Sequence, residues 1–242
     1  MGGPPAITAL TLLKYYDIII IESEEEVMDF TKTFDEMISM VENVFNITNT
    51  KIAPIYRGSP VWDRFREECE NNNIKVAFGL TKFVIYFDDF VVKIPFCGDY
   101  HNWIHTEKEE DKYYDYTTNH CHLEAKDYEL YCNTEIGFLL APTVYIGKLN
   151  DLNIYAQPKC EPYSYDKHSP SEQDFDMVGD LDYFECTGDD DEAVAVFIKE
   201  FGDDASRILN MLDDFNIKDI HYGNIGYLNG KLIIFDFCGY HE

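Results

Sequence analysis

The chain has 242 residues and a formal net charge of −27 at neutral pH. A field of this sign repels nucleic-acid backbones and anionic membranes and attracts basic proteins. We therefore expect no direct binding of nucleic acid or membrane, and a basic protein as the partner of the acidic surface. The hydrophobic content of 45% and the aromatic content of 15% predict a folded protein rather than a disordered acidic segment.

The chain carries no sign of a membrane segment or a secretory leader. Its longest apolar run, residues 18–21, is far short of the roughly 20 residues that span a bilayer. The N-terminus lacks a basic stretch. The seven cysteines include no Cys-x-x-Cys pair, a pattern typical of reduced thiols. These features predict a cytoplasmic protein, in the host cytoplasm if its origin is viral.

The first 73 residues predict one strand and two helices. Residues 17–22 form a short apolar strand, and Ser23 with Glu26 has the pattern of a capping box. The helix that this box opens carries apolar residues at three- and four-residue spacing as far as Phe45. A second helix is predicted to begin at Ser59 and Pro60.

The middle of the chain is predominantly β. Runs of β-branched and aromatic residues occupy residues 74–78, 82–87 and 90–96, which predicts an antiparallel meander. A helix over residues 122–131 and strands over residues 143–149 and 152–158 follow.

The last third begins with an acidic stretch. Residues 161–192 contain twelve Asp or Glu and one Lys, which predicts a partly ordered acidic insertion. Helical spacing returns over residues 193–215 and is interrupted at Gly202. The closing run, residues 225–236, reads as a hairpin around Asn229 and Gly230.

Five polar residues stand at defined points in this order of elements. Lys93 lies inside an apolar strand, where a buried ammonium needs a partner, and Glu124 lies on the next helix. Asp219 and Asn224 flank a short loop, and Asp236 ends the last apolar run. Phosphoryl transfer uses groups of this kind: a Lys that pairs with a Glu, an Asp that lies beside the attacking hydroxyl, and an Asn and an Asp that bind magnesium.

Three motifs carry a resemblance. The loop DIHYGN (residues 219–224), the strand VVKIP (residues 91–95) and the turn DFCG (residues 236–239) resemble the catalytic loop, the lysine strand and the metal-binding turn of the protein-kinase-like superfamily. Within this superfamily, the motifs most resemble those of aminoglycoside-phosphotransferase-like and phage or microbial kinase-like members. The resemblance covers residues 74–242 and implies an α+β kinase-like fold, with an antiparallel N-lobe sheet and a truncated, mostly helical C-lobe.

The resemblance implies ATP and Mg²⁺ as cofactors and a role for each matching residue. Asp219, Lys93 and Glu124 would be catalytic, and Asn224 and Asp236 would bind the metal. The nucleotide-binding residues would be Gly79, Thr81, Lys93 and Gln157. The covering loop has one glycine, Gly79, where the family usually has two or three.

The resemblance also divides the chain into four parts. Residues 1–73 would be an N-terminal helical extension packed on the N-lobe. Residues 74–158 would be the N-lobe and hinge, residues 159–192 the acidic insertion, and residues 193–242 a minimal C-lobe that contains the catalytic-loop hairpin.

Each site residue also has a simpler interpretation. Lys93 alone could be an edge-strand lysine whose head reaches water. Glu129 lies on the same predicted helix as Glu124 and competes with it for the lysine. Asp219 and Asn224 are common turn residues. A zinc site could be formed by Cys97, His101, His105 and the His120–His122 pair, although their spacing fits no common zinc motif.

The charge supports a second functional class. An acidic protein of this size can imitate the phosphate pattern of DNA and occupy the groove of a nucleic-acid-binding protein. The alternative to a phosphotransferase is therefore a phage or viral inhibitor that binds a basic host protein on a catalytically unused, pseudokinase-like scaffold.

Overall fold

The computed structural model describes residues 30–100, 113–115, 119–181, 190–217 and 219–237. The predicted strand at residues 17–22, the Ser23–Glu26 capping box, His101, His105 and Cys238 lie outside these ranges. The described part is an α+β fold with a five-stranded antiparallel sheet, as the sequence predicts. The buried apolar residues form two separate hydrophobic cores, and the polar region where the two cores meet is called the cleft.

Two helices precede the sheet. Helix α1 (Phe34–Ile47) begins at Thr33, whose hydroxyl and backbone N–H form a capping box with Glu36. Residues 30–33 are not helical, so the expected helix that includes Phe30 is wrong, because a second Thr-x-x-Glu box starts the helix later. Strand β1 (Tyr56–Arg57) follows, and helix α2 (Pro60–Asn71) is capped by Ser59 as predicted.

The main sheet is formed by the predicted meander and the two later strands. Its strand order is β2-β3-β4-β8-β7, and every neighbouring pair is antiparallel. The strands are β2 (Val76–Phe78), β3 (Lys82–Tyr86), β4 (Phe90–Pro95), β7 (Val144–Leu149) and β8 (Leu152–Pro158). Strands β5 (Gly98–Tyr100) and β6 (Tyr113–Asp115) form a small separate sheet with β1.

The two faces of the main sheet have different neighbours. Phe83, Val92 and Ile154 are buried in the same core as the apolar residues of α1 and α2, so residues 30–73 cover this outer face. On the other face, Val84 lies opposite Lys93, and Lys93 lies opposite Tyr155. Because directly paired residues share a face, the alternation of β3 and β4 directs their lysines away from the apolar core.

Helix α3 (His120–Tyr131) lies between β4 and β7 in the chain. A short 3₁₀ helix (Gly137–Leu139) then leads into β7. Here the N–H of Ala141 donates to the carbonyl oxygen of Ile234 at 2.9 Å. This hydrogen bond connects the segment before β7 to the C-terminal hairpin.

The C-terminal elements are β9 (Glu161–Pro162), α4 (Tyr165–His168), α5 (Glu172–Val178), α6 (Asp191–Phe201), a 3₁₀ turn (Gly202–Asp204), α7 (Ala205–Asp214), β10 (Ile225–Leu228) and β11 (Lys231–Ile234). The second core is formed mainly by α6, α7 and the C-terminal hairpin, together with Ile136, Leu139 and Leu140 from the segment before β7. The described part of the acidic stretch is ordered, since Tyr163, Met177 and Leu181 pack against this core. Strand β9 pairs with β10, which places the segment after β8 beside the hairpin.

The helices in the described ranges are too short or too polar to cross a lipid bilayer.

Candidate functional site

The cleft between the two cores is centred on Lys93. This residue occupies the middle of β4 and is only 3% exposed. Its ammonium donates to Glu124 Oε1 and, at 2.5 Å, to the carbonyl oxygen of Phe235. The interpretation of Lys93 as a solvated edge-strand lysine is therefore wrong, because the lysine is buried and paired.

Glu124 is the partner that the helix provides. It is fully buried on α3, whereas Glu129 of the same helix is exposed. The hydroxyl of Thr143 donates to Glu124 Oε1 at 3.0 Å, and the Lys82 ammonium lies 3.5 Å from Oε2. A buried carboxylate is costly unless its oxygens are satisfied. Glu124 Oε1 accepts from Lys93 and Thr143, whereas Oε2 lies near the Lys82 ammonium and has no hydrogen-bond partner among the described residues. Lys93 therefore pairs with Glu124, and the alternative partner Glu129 is exposed on the same helix.

Lys82 is a site residue whose central position the sequence analysis missed. It begins β3, is 6% exposed, and its ammonium pairs with the carboxylate of Asp236. Val84 of β3 lies directly opposite Lys93 of β4. Lys82 stands two residues before Val84 on β3, so it lies on the same face of the sheet as Val84 and Lys93. This two-residue alternation, applied across the β3–β4 pair, is the signal that could have placed both lysines on one face.

The C-terminal hairpin aligns Asn224 with Phe235, the residue before Asp236. Ile225 pairs with Ile234, so Asn224 directly precedes one strand and Phe235 directly follows the other. The N–H of Phe235 donates to the carbonyl oxygen of Asn224 at 2.9 Å. Asn229 and Gly230 both have positive φ angles, 53° and 78°, as a tight type I′-like turn requires. The predicted hairpin is thus formed, and it places Asn224 and Asp236 at the same end of the strand pair.

Asp219 begins the loop that leads into this hairpin. Asn224 Nδ2 donates to the carbonyl oxygen of Asp219 at 3.0 Å and to its Oδ2 at 3.2 Å. His221 Nε2 lies 3.7 Å from Asp219 Oδ1. The backbone of Asp219 has a φ of 64°, a left-handed conformation that non-glycine residues rarely adopt. The loop therefore holds Asp219 in a strained conformation beside Asn224.

Asp190 supports the same loop and was not singled out from the sequence, which placed it in the acidic stretch. One carboxylate oxygen of Asp190 caps α6 by accepting from the N–H of Ala193 at 2.7 Å. The other oxygen accepts from the N–H of Tyr222 at 3.3 Å, and the N–H of Asp190 donates to the carbonyl oxygen of Ile220 at 3.1 Å. The start of α6 therefore anchors the loop between Asp219 and Asn224.

The two aspartates of the cleft have opposite pKa shifts. Burial raises the pKa of Asp219, and the negative charge of Asp236 adds to the effect while His221 opposes it. Burial would also raise the pKa of Asp236, but the positive charges of Lys82 and Lys93 hold it below its ordinary value. Asp236 is thus held as a carboxylate, and Asp219 accepts a proton more readily than an ordinary Asp.

Two thiols lie close to these charges. Burial raises the pKa values of Cys121 and Cys160 to about 12. Both cysteines therefore remain neutral at physiological pH and add no charge to the site.

The predicted nucleotide-binding residues occupy different parts of the cleft. Gly79 and Thr81 lie in the turn between β2 and β3, where the Gly79 N–H donates to the Lys82 carbonyl oxygen at 3.0 Å. Gln157 of β8 is buried, lies opposite Val91, and shares the face of Lys93. Its Nε2 has no hydrogen-bond partner among the described residues. A buried amide without a partner is costly, so Gln157 offers a donor to a ligand.

The donor set fits magnesium better than zinc. The predicted ligands Asn224 and Asp236 would offer oxygen atoms, and magnesium in phosphate-binding sites takes one or two protein ligands besides phosphate oxygens. Nowhere in the described ranges do three His, Cys, Asp or Glu side chains come together as a metal site. The zinc alternative therefore has no support from Cys97, His120 or His122, and its remaining residues, His101 and His105, are not described.

Comparison of the chain with protein-family models, with curated proteins and with solved structures found no match.

Proposed function

We propose that the protein binds ATP with Mg²⁺ on a kinase-like fold and transfers a phosphoryl group to a hydroxyl of a protein or small molecule. The observation that carries the proposal is the buried Lys93–Glu124 pair, which is connected through the Phe235 carbonyl to the turn that bears Asp236. Kinases require a strand lysine paired with a helix glutamate and a metal-binding aspartate nearby.

The order of the elements supports the same fold. A three-stranded meander carries Lys93 on its third strand, the next helix carries Glu124, and two further strands complete the sheet. The hairpin that carries Asn224 and Asp236 follows the C-terminal helices and reaches the cleft from the other core. The resemblance predicts this arrangement from three separate motifs.

Each residue would contribute a separate part of the chemistry. Lys93 would bind phosphate oxygens while Glu124 holds its ammonium in place. Asn224 and Asp236 would bind Mg²⁺, which neutralises the charge of the transferring phosphoryl group. Asp219 would orient the acceptor hydroxyl and take its proton, a role suited to a carboxylate whose pKa is raised. Gln157 would donate its free N–H to the nucleotide near the hinge.

Calorimetry with Mg²⁺ and ATP tests the binding step. The wild type should release heat on titration and melt at a higher temperature with the ligand, and Asp236→Asn should lose both effects. Asp151→Asn, which removes the same charge from the exposed β7–β8 turn, should behave as the wild type. An unchanged melting temperature of the wild type with saturating Mg²⁺ and ATP would falsify the proposal.

A transfer assay tests the second step. With binding established, Asp219→Asn should retain nucleotide affinity and lose formation of ADP from ATP, because the residue would act on the acceptor. Equal ADP formation by the wild type and Asp219→Asn would mean that the cleft binds nucleotide without the proposed transfer, as in a pseudokinase.

A basic protein partner is the second candidate function. The described acidic segment consists of ordered helices packed on the second core, with carboxylates turned to solvent. Exposed charge of one sign speeds the association of oppositely charged proteins. The exposed carboxylates of this acidic surface are Asp166, Glu172, Asp176 and Asp180.

Two variants of equal net charge separate a specific acidic surface from a general charge effect. One neutralises the acidic surface by Asp166→Asn, Glu172→Gln, Asp176→Asn and Asp180→Asn. The other neutralises exposed acids elsewhere by Asp63→Asn, Glu67→Gln, Glu70→Gln and Asp151→Asn. Only the first should weaken binding of a Lys- and Arg-rich peptide at low salt. Equal weakening by both would reduce the interaction to net charge.

A further inference from the structure

The Lys82–Asp236 ion pair is the starting observation. The ammonium of Lys82 contacts Asp236 Oδ1 and lies 3.5 Å from Glu124 Oε2. It therefore lies between an aspartate on the hairpin and a glutamate on α3. Asp236 is the residue proposed above to bind Mg²⁺. In this structure its carboxylate is paired with the ammonium of Lys82.

We propose that Lys82 is a built-in counter-cation that excludes a lone divalent cation from Asp236 and admits it only together with a polyphosphate, to which the ammonium then transfers. The inference rests on the proposed function, because it concerns the same metal and nucleotide site. It assigns a binding role to a residue on β3, separate from that of Lys93 on β4.

The charge of the cleft favours this role. Lys82 and Lys93 are matched by Glu124 and Asp236, and Asp219 adds one negative charge nearby, so the two charges of a divalent cation exceed what the cleft can balance. A divalent cation that entered alone would leave an excess positive charge among side chains that are mostly shielded from water, which is costly. A metal that enters with a polyphosphate carries its own compensating negative charge. The cleft should therefore bind the two ligands cooperatively.

The position of Lys82 is the second argument. Asp236 keeps 36% of its side chain exposed, whereas the side chains of Lys82 and Glu124 are 7% and 0% exposed. The open side of the cleft is therefore at Asp236, where a ligand enters. When Asp236 turns to a metal, Glu124 remains beside the Lys82 ammonium as its anchor, and the side chain need not move far to reach a phosphate.

The turn before Lys82 also favours this role. Residues 79–81 contain one glycine, and the Gly79 N–H donates to the Lys82 carbonyl oxygen. Because this N–H is already used, the turn has one donor fewer for phosphate. An ammonium at the first residue of β3 supplies positive charge at this edge of the cleft in its place.

Binding of Mn²⁺ alone, measured by electron paramagnetic resonance on the full chain, is the primary test. Lys82→Met removes the ammonium that competes with Mn²⁺ for the Asp236 carboxylate. We take this competition as equivalent to about one pKa unit, so the variant should bind Mn²⁺ about tenfold more tightly than the wild type. The same variant should bind ATP with saturating Mn²⁺ about tenfold more weakly. Lys82→Arg, which keeps the charge, should still exclude Mn²⁺ alone.

Lys148→Met is the matched control, since Lys148 is exposed on β7 and lies away from the cleft. It should leave both affinities at their wild-type values. Circular dichroism of each variant checks that the fold is retained. If Lys82→Met does not fold, the wild type decides, because Mn²⁺ that binds as tightly alone as it does with ATP overturns the inference.

The possible failures are distinguishable. Wild-type binding of ATP with Mn²⁺, combined with an unchanged Mn²⁺ affinity of Lys82→Met, overturns this inference and leaves the proposed function intact. A gain of Mn²⁺ affinity in Lys82→Met, combined with no ATP binding by the wild type, supports the counter-cation and overturns the nucleotide site. The inference is also overturned if the wild type, Lys82→Arg and Lys82→Met all bind Mn²⁺ with the same affinity.

Discussion

Lys93 Nζ donates to the carbonyl oxygen of Phe235, a residue 142 positions further along the chain. The contact joins the third strand of the main sheet to the backbone directly before Asp236. The neighbours of Lys93, Val92 and Ile94, are buried in the first core, and Ile234, which precedes Phe235, is buried in the second. The orientation of Asp236 in the cleft is therefore coupled to the strand that carries the lysine.

Removing Glu124 should destabilise the protein strongly. Glu124→Gln leaves two lysines near a fully buried position without their shared negative charge. Breaking a buried pair from one side costs about 3–5 kcal/mol in the free energy of unfolding. Urea unfolding followed by circular dichroism measures this loss.

A double-mutant cycle assigns the Glu124 effect to the pair. Lys93→Met combined with Glu124→Gln should lose less stability than the sum of the two single changes, because no ammonium of Lys93 is then left unpaired. Glu129→Gln, on the exposed face of the same helix, should change stability by no more than about 0.5 kcal/mol. Strict additivity of the two single changes would contradict the pairing.

Asp219→Asn should stabilise the fold at neutral pH. Burial raises the pKa of Asp219, so the folded state disfavours its charged form. Its φ of 64° is also a conformation that Asn adopts more readily than most residues. We expect a gain of about 0.5–1 kcal/mol, since each effect is small for a half-buried side chain.

The pH dependence of this gain follows from the sign of the shift. A carboxyl with a raised pKa contributes most to stability below its unfolded-state pKa, and the contribution is lost as the pH rises through its folded-state pKa. The advantage of Asp219→Asn in urea unfolding should therefore appear near neutral pH and shrink in acid, below about pH 4. A loss of stability at neutral pH would contradict the assignment.

Acid should release the Lys82–Asp236 contact. Lys82 and Lys93 hold the pKa of Asp236 below its ordinary value against the opposing effect of burial. Its contribution to stability is thus complete above the ordinary Asp pKa of about 3.9 and is lost as the pH falls through the lower, folded-state value. Urea midpoints measured from neutral to acid pH should fall less steeply below about pH 4 in Asp236→Asn than in the wild type.

Gly226→Ala should disrupt the contact between β9 and the hairpin. A Cβ at this position would lie 2.4 Å from the backbone oxygen of Glu161 and 3.1 Å from the ring of Phe235. Such overpacking against backbone costs about 1–3 kcal/mol. Thermal unfolding should show the loss, and faster amide exchange should be confined to β9, β10 and the Phe235–Asp236 turn.

Gly179→Ala is the control for that substitution. Gly179 ends α5 with a φ of −70°, and a Cβ there would meet no atom within 4 Å. Its melting temperature should equal or slightly exceed that of the wild type, because Ala restricts the unfolded chain more than Gly does. Equal losses for both alanine variants would mean that the close approach at Gly226 is not what limits stability.

The sequence by itself determined the local elements. Ser59 before Pro60 predicts the start of α2, and alternating β-branched residues predict the strands of the main sheet. Asn229 and Gly230 predict the hairpin turn. Each of these signals operates within a few residues, because capping, strand alternation and turn geometry depend on neighbouring backbone atoms.

Only the tertiary structure decided which charged residues meet. Both Glu124 and Glu129 lie on α3, and burial selected Glu124. Lys82 and Asp236 are separated by 154 positions, and no local pattern specifies that their side chains share one cleft. Such contacts depend on the packing of two cores against one another, since the cost of burying a charge is offset only where that packing brings an opposite charge within reach.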